Sequence, residues 1–169
     1  MKRIVGRLAG IAVWVAFTGL FPSHVAPAWA QDEGAGLEIT PHHFGISVPN
    51  LEESIAWYGN ILGFKVATRM TQGTEMKVAL LQRGSFQIEL FQVAGAKPLP
   101  EYRRDPTADL RVHGIGQMAF QVPDVPDAVK KLKAKGVEIA MGPVDTAGVA
   151  FVFIRDNAGN CIELIQFKK

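Results

Sequence analysis

The sequence predicts an α+β fold built from two βαβββ modules that form one cupped, mixed sheet. Three observations predict it. The first is a spacing that occurs twice: His43 and Gln117 are 74 positions apart, and so are Glu89 and Glu163. Each pair sits in matching text. His43-Phe44-Gly45-Ile46-Ser47-Val48-Pro49-Asn50 answers Gln117-Met118-Ala119-Phe120-Gln121-Val122-Pro123-Asp124, and Ile88-Glu89-Leu90-Phe91 answers Ile162-Glu163-Leu164-Ile165. The second is period-two alternation in both opening segments, the mark of a half-buried strand. The third is that each such segment runs into an N-cap residue and a helical repeat of apolar side chains.

The elements of the first module follow in order. In residues 43–48, Phe44, Ile46 and Val48 point one way while His43, Gly45 and Ser47 point the other. Asn50 is an N-cap with Glu53 three residues on as its capping-box partner. Leu51, Ile55, Tyr58 and Leu62 recur at helical spacing, and Gly63 ends the helix as a left-handed cap. Strands are expected over Phe64–Met70, Met76–Gln82 and Phe86–Val93, with Gly73 and Gly84 at the turns.

The second module repeats this. Residues 117–122 alternate, Asp124 caps a helix holding Val125, Val129 and Leu132, and Gly136 closes it. Strands are expected over Val137–Met141, Val149–Arg155 and Cys161–Phe167, the last two joined by the turn Asp156-Asn157-Ala158-Gly159-Asn160. Module 1 thus spans about 41–93 and module 2 about 115–167, within a single domain over 41–169. Residues 94–114 connect them. Their prolines (Pro98, Pro100, Pro106) and charges suggest a linker crossing the domain, or a lid whose Arg103, Arg104 and Arg111 contact substrate.

The chain has 169 residues, and its first thirty read as a secretory signal peptide. Lys2, Arg3 and Arg7 are the positive region, Leu8 to Phe21 the apolar region, and Ala28-Trp29-Ala30 the cleavage signature. Residues 31–40 form a flexible lead-in. Cleavage removes three cations and no acid, taking the formal charge from +2 to −1. The basic excess therefore belongs to the export signal, and the mature protein carries none to attract nucleic acid or an anionic membrane. The expected location is secreted or periplasmic. Cys161 is the only cysteine, so no internal disulfide forms and stability rests on the core, where Cys161 itself is expected to lie.

Strand parity turns the repeat into a site. Phe86, Ile88 and Leu90 and their counterparts Ile162 and Leu164 face the helices, so Glu89 and Glu163 face the other way. His43 and Gln117 do the same. All four then share the concave side of the sheet, where an approximate twofold directs them at one point. Two carboxylates there are costly without a partner. A divalent cation answers that cost, since imidazole, carboxylate and amide oxygen suit Zn²⁺, Ni²⁺, Fe²⁺ or Mn²⁺. His113, four residues before Gln117, is a second imidazole able to take its place.

The run from His43 to Phe64 resembles the opening of the vicinal oxygen chelate superfamily, the glyoxalase, bleomycin resistance and dioxygenase proteins. Asp156 to Leu164 resembles its closing motif, and the likeness covers about residues 41–167. It implies paired βαβββ modules, a sheet cupped around a metal, and a homodimer. The family's four metal positions fall on His43, Glu89, Gln117 and Glu163. Extradiol dioxygenases and fosfomycin-resistance enzymes carry His at the third position, where this chain has Gln117. Methylmalonyl-CoA epimerases resemble His-Gln-His-Glu. Glyoxalase I enzymes use His-Glu-His-Glu or Gln-Glu-His-Glu, and His-Glu-Gln-Glu is the second of these with its modules exchanged.

The resemblance therefore implies a metal-dependent lyase or isomerase of glyoxalase type. It would act on a small vicinal-oxygen substrate through an enediolate, with Glu163 or Glu89 moving the proton. Glutathione is the family's usual cosubstrate. Two alternatives come with the same fold: a non-catalytic protein that binds or sequesters a small molecule, and a C–H-acid epimerase using the same two glutamates.

Overall fold

The computed structural model describes Leu37 and residues 39–168. The expected signal peptide and most of the lead-in lie outside the described residues. From Pro41 onward the chain forms one compact unit.

Each module builds its own four-stranded mixed sheet. In the first, β1 (His43–Ser47) is followed by α1 (Leu51–Leu62), β2 (Lys65–Gln72), β3 (Met76–Arg83) and β4 (Phe86–Val93). In the second, β5 (Met118–Gln121) is followed by α3 (Val125–Ala134), β6 (Ile139–Asp145), β7 (Val149–Arg155) and β8 (Cys161–Phe167), and the short helix α2 (Pro106–Asp109) lies between the modules. The strand orders are β1-β4-β3-β2 and β5-β8-β7-β6. The first strand of each module pairs in parallel with the last, and the remaining pairs are antiparallel. The helical crossover makes that parallel pairing possible, because a short turn cannot reverse the chain twice.

The repeat persists in the hydrogen bonds. Val48 N donates to Phe91 O at 2.8 Å, and 74 residues on Val122 N donates to Ile165 O at 2.8 Å. The side-chain oxygen of Gln92 accepts from Leu51 N at 2.8 Å, and that of Gln166 from Val125 N at 2.9 Å. These bonds satisfy a free N–H at each helix start. Asn50 caps α1 by accepting from Glu52 N and Glu53 N, and Asp124 caps α3 by accepting from Asp127 N. Gly63 follows α1 at φ 71°, a left-handed conformation that glycine adopts without penalty.

One apolar cluster serves both modules. Ile88 and Leu90 from β4, Ile162 and Leu164 from β8, and Leu51, Tyr58, Val125 and Leu132 from the helices all belong to it. Phe120 joins the halves, its ring lying 5.3 Å from that of Phe86 and 6.0 Å from that of Phe64. Such edge-to-face pairs add to the area they bury. Tyr58, fully buried, donates its hydroxyl to Asp156 Oδ2 at 2.8 Å, so the first module's helix is bonded to the turn between β7 and β8. Among the described residues no helix is long and apolar enough to cross a membrane.

Some expectations are corrected in detail: β2 runs over Lys65–Gln72 where Phe64–Met70 was expected, and β3 extends to Arg83. β6 begins at Ile139 and not at Val137, because Val137 N still bonds back to Leu132 O as the helix closes. It also runs on to Asp145, which pairs with Ala150 of β7. Phe44 is 40% exposed where the alternation expected it against a helix, since it is the second residue of a strand at the sheet edge, where it stacks on Phe86.

Candidate metal-binding site

β1 and β4 position the first half of the site. Their register sets His43 opposite Gln87 and Gly45 opposite Glu89. Residues two apart on a strand share a face, so His43 and Glu89 point away from the buried Ile88 and Leu90. His43 Nε2 lies 3.1 Å from Glu89 Oε2, with the glutamate the more covered of the two. The other ring nitrogen, Nδ1, lies 2.7 Å from Nδ1 of His42, so one of these rings donates and the other accepts.

β5 and β8 position the second half. Gln117 directly precedes β5, and its Nε2 donates to Glu163 Oε2 at 3.0 Å. Burial pushes the Glu163 carboxyl above its ordinary range, and the Gln117 hydrogen bond offsets part of that rise. Cys161, on the same strand, is buried, and burial raises its thiol as well.

The four predicted ligands thus come together as two pairs, one joining an imidazole and the other an amide to a carboxylate. Among the described residues no three His, Cys, Asp or Glu side chains gather into a metal-holding group. The donors themselves fit a divalent cation. Imidazole nitrogen and carboxylate oxygen are ordinary ligands, two carboxylates balance a 2+ charge, and a half-turn of the Gln117 amide presents Oε1 in place of Nε2. The desolvated Glu163 carboxylate has one neutral amide to offset its burial, and a cation would offset it further.

The predicted arginines divide. Arg103 is bound to Asp109, with Nε 3.0 Å from Oδ1, and donates Nη2 to Ile115 O at 2.8 Å. Arg104 Nε makes a 3.3 Å contact with Glu101 in which both side chains are largely exposed. Arg111 and His113 are exposed in the linker. The linker is itself ordered: a 3-10 turn over Glu101–Arg104 runs into α2, whose Pro106 and Asp109 are buried.

Two residues were missed in the sequence. Gln87, on the same face as Glu89, has a buried Oε1 with no hydrogen-bond partner among the described residues. It lines a cavity of about 460 Å³ with His42, His43, Phe44 and Phe86, a size within the range of small-molecule sites. Arg155 ends β7 and is buried. For both, the available signal was strand parity, which puts Gln87 beside Glu89 and Arg155 beside Phe153.

The model of the Glyoxalase/Bleomycin resistance protein/Dioxygenase superfamily matches residues 40–164. YwkD of Bacillus subtilis is 33% identical over 130 residues, 74% of this chain and 94% of that protein. The glyoxalase I of Leishmania major, described as trypanothione-dependent, superposes with a TM-score of 0.58 at 25% identity, covering 73% of this chain and 84% of its own. TnmS3, an antibiotic-binding protein from Streptomyces sp. CB03234, shares the fold alone, with a TM-score of 0.55 at 19% identity over 79% of this chain and all of its own.

Proposed function

Since the chain belongs to the Glyoxalase/Bleomycin resistance protein/Dioxygenase superfamily, we propose that it is an exported, metal-dependent lyase or isomerase of glyoxalase type. Its substrate is a small molecule with two vicinal oxygens. One observation carries the reading: at positions 74 apart, each sheet presents a carboxylate paired with an imidazole or amide metal donor, His43 with Glu89 and Gln117 with Glu163. Residues 1–30 are the export signal, and the mature protein works outside the cytoplasm.

His43, Glu89, Gln117 and Glu163 would hold Zn²⁺, Ni²⁺, Fe²⁺ or Mn²⁺. The bound ion supplies Lewis-acid polarisation of the two substrate oxygens. Glu163 is the general base and then the acid: it takes a proton from one carbon and returns it to the neighbour. When substrate displaces Glu163 from the ion, burial holds its pKa above the ordinary carboxylate value, so the group can both take and give a proton. Gln117 fixes the orientation of the Glu163 carboxylate. Glu89 orients His43 and is the alternative base. Arg111, exposed on the linker, is available to meet an anionic tail, whereas Arg103 is held by Asp109 and Arg104 is paired with Glu101.

The working form is a homodimer. β1 and β5 are both edge strands, and edges of this kind are ready to pair with another chain. Pairing β1 of one protomer with β5 of its partner brings one copy's His43–Glu89 pair to the other copy's Gln117–Glu163 pair.

The test is metal analysis of purified residues 31–169, followed by a hemithioacetal assay. The expected result is about one divalent ion per pair of half-sets, with activity on adding Ni²⁺, Co²⁺, Zn²⁺ or Mn²⁺. No stoichiometric metal and no activity with any of these ions rejects the enzyme. Glu163→Gln is expected to lower kcat about 10²- to 10⁴-fold, the usual weight of a general base. Solvent deuterium appearing in a substrate that is otherwise returned unchanged identifies an epimerase instead. A non-catalytic binder is the second reading, compatible with the fold shared with TnmS3 and with the weaker amide ligand at Gln117. Stoichiometric small-molecule binding without turnover identifies it.

A further inference from the structure

The linker and the turn between β7 and β8 enclose a separate cavity of about 310 Å³, with Arg103, Arg104, Glu138, Arg155 and Asp156 in its wall. Arg155 pairs with Cys161 across the strands, as Phe153 does with Glu163. Parity therefore puts Arg155 on the Glu163 side of the sheet, opposite the buried Ile154. Arg103 lines the same cavity as Arg155, so the Arg103–Asp109 pair of the linker lies near the end of this strand.

Arg155 is only 5% exposed. Its Nη1 donates to Gly159 O at 3.0 Å and its Nη2 to Arg104 O. Both acceptors are neutral. Of the nearby acids, Asp109 is engaged with Arg103 and Glu101 with Arg104, and Glu138 is exposed at the cavity wall without reaching Arg155 as an ion pair. Asp156 accepts from Tyr58 Oη, Ala158 N, Asn160 N and Asn160 Nδ2. Among the described residues no carboxylate forms an ion pair with Arg155. A buried cation served by neutral carbonyls alone is costly, and this one borders a cavity. A guanidinium has five N–H groups, and these bonds use two.

We propose that this cavity is an anion-binding site, in which Arg155 and Arg104 hold the carboxylate or phosphate group of a small molecule. The planar guanidinium fork suits either oxyanion. Arg104 is available because its pair with Glu101 is exposed and weak. Arg103 does not take part, since Asp109 and Ile115 O hold it and it fixes the linker instead. Glu138, exposed on the opposite side of the charge balance, weakens the site. The site shares no residue with the two metal-donor pairs, so it stands whether or not they bind an ion.

The test is calorimetric titration of the purified chain in the presence of a chelator, once with inorganic phosphate and once with glutarate. The expected result is saturable binding of at least one of them at one per chain, and the tighter of the two identifies the oxyanion. Arg104→Gln is expected to weaken it about tenfold, the scale of one lost charge-assisted hydrogen bond. Glu138→Gln is expected to tighten it several-fold by removing a like charge. Arg104→Gln keeps the backbone oxygen that Arg155 uses, and both substituted side chains are exposed, so folding is not the variable. The proposal is overturned if neither anion saturates, or if Arg104→Gln leaves the affinity unchanged, whatever Glu138→Gln does.

Discussion

The side chain at position 163 carries opposed demands. Burial raises its pKa above the ordinary 4.5, which helps a proton-transfer group and burdens the fold. The folded state holds the proton more tightly than the unfolded chain does. As pH rises through 4.5 toward the raised value, the unfolded chain ionises first and stability falls. Glu163→Gln removes that penalty while keeping an acceptor for Gln117. In chelator, thermal melts should therefore show the variant gaining on its parent at pH 7 and not at pH 4, a stability gain bought with lost activity. Equal differences at both pH values would mean that Glu163 is not strained by burial. Tyr58 is the contrasting case. Burial and the Asp156 carboxylate both raise its pKa strongly, so the hydroxyl stays protonated and acts only as a donor. Tyr58→Phe should cost about 1.5–3 kcal/mol in urea denaturation, the usual weight of a hydrogen bond to a charged group.

At the scale of elements, the two modules use one design with small edits. Both helices start on a side-chain cap and a glutamine from the last strand, Asn50 with Gln92 and Asp124 with Gln166. Asn50→Ala and Asp124→Ala should each cost about 1 kcal/mol. They should do so independently, because the caps serve different helices. A double variant whose loss departs clearly from the sum would show the helices to be coupled. Helix and strand existence was legible from caps and periodicity because these are local signals. Strand ends were less so: β6 starts two residues late because Val137 N completes the helix closure, a bond that alternation of side chains does not encode. The linker's order also escaped, since the Arg103–Asp109 and Arg103–Ile115 bonds that fold it are made between residues that no periodicity relates.

At the scale of the molecule, the question is whether the half-sets are completed within one chain or across two. Glu89→Gln and Glu163→Gln variants, each inactive alone, answer it when mixed under conditions that exchange subunits. If the site spans two protomers, each mixed dimer holds one site with both glutamates intact. Random pairing then restores about a quarter of the parental activity, as the symmetry of a two-site dimer requires. If each site lies within one chain, mixing restores none. Sedimentation of the parent and of each single variant establishes whether they dimerise.

By itself the sequence determined the doubling and the capped helices, and its parity directed His43, Glu89, Gln117 and Glu163 away from the helices, toward the concave side of the one sheet it predicts. It could do so because spacing, capping and parity are written into neighbouring residues. Strand parity also put Gln87 beside Glu89 and Arg155 beside Phe153, but parity cannot say whether a polar atom finds a partner. Only the tertiary structure decided that His43 meets Glu89 and Gln117 meets Glu163 as two pairs, that Gln87 Oε1 is left without a partner among the described residues, and that Arg155 is buried beside a cavity and bonded to carbonyls there. Those outcomes depend on register and on how the linker packs over the second sheet, and both are set by contacts between residues far apart in the chain.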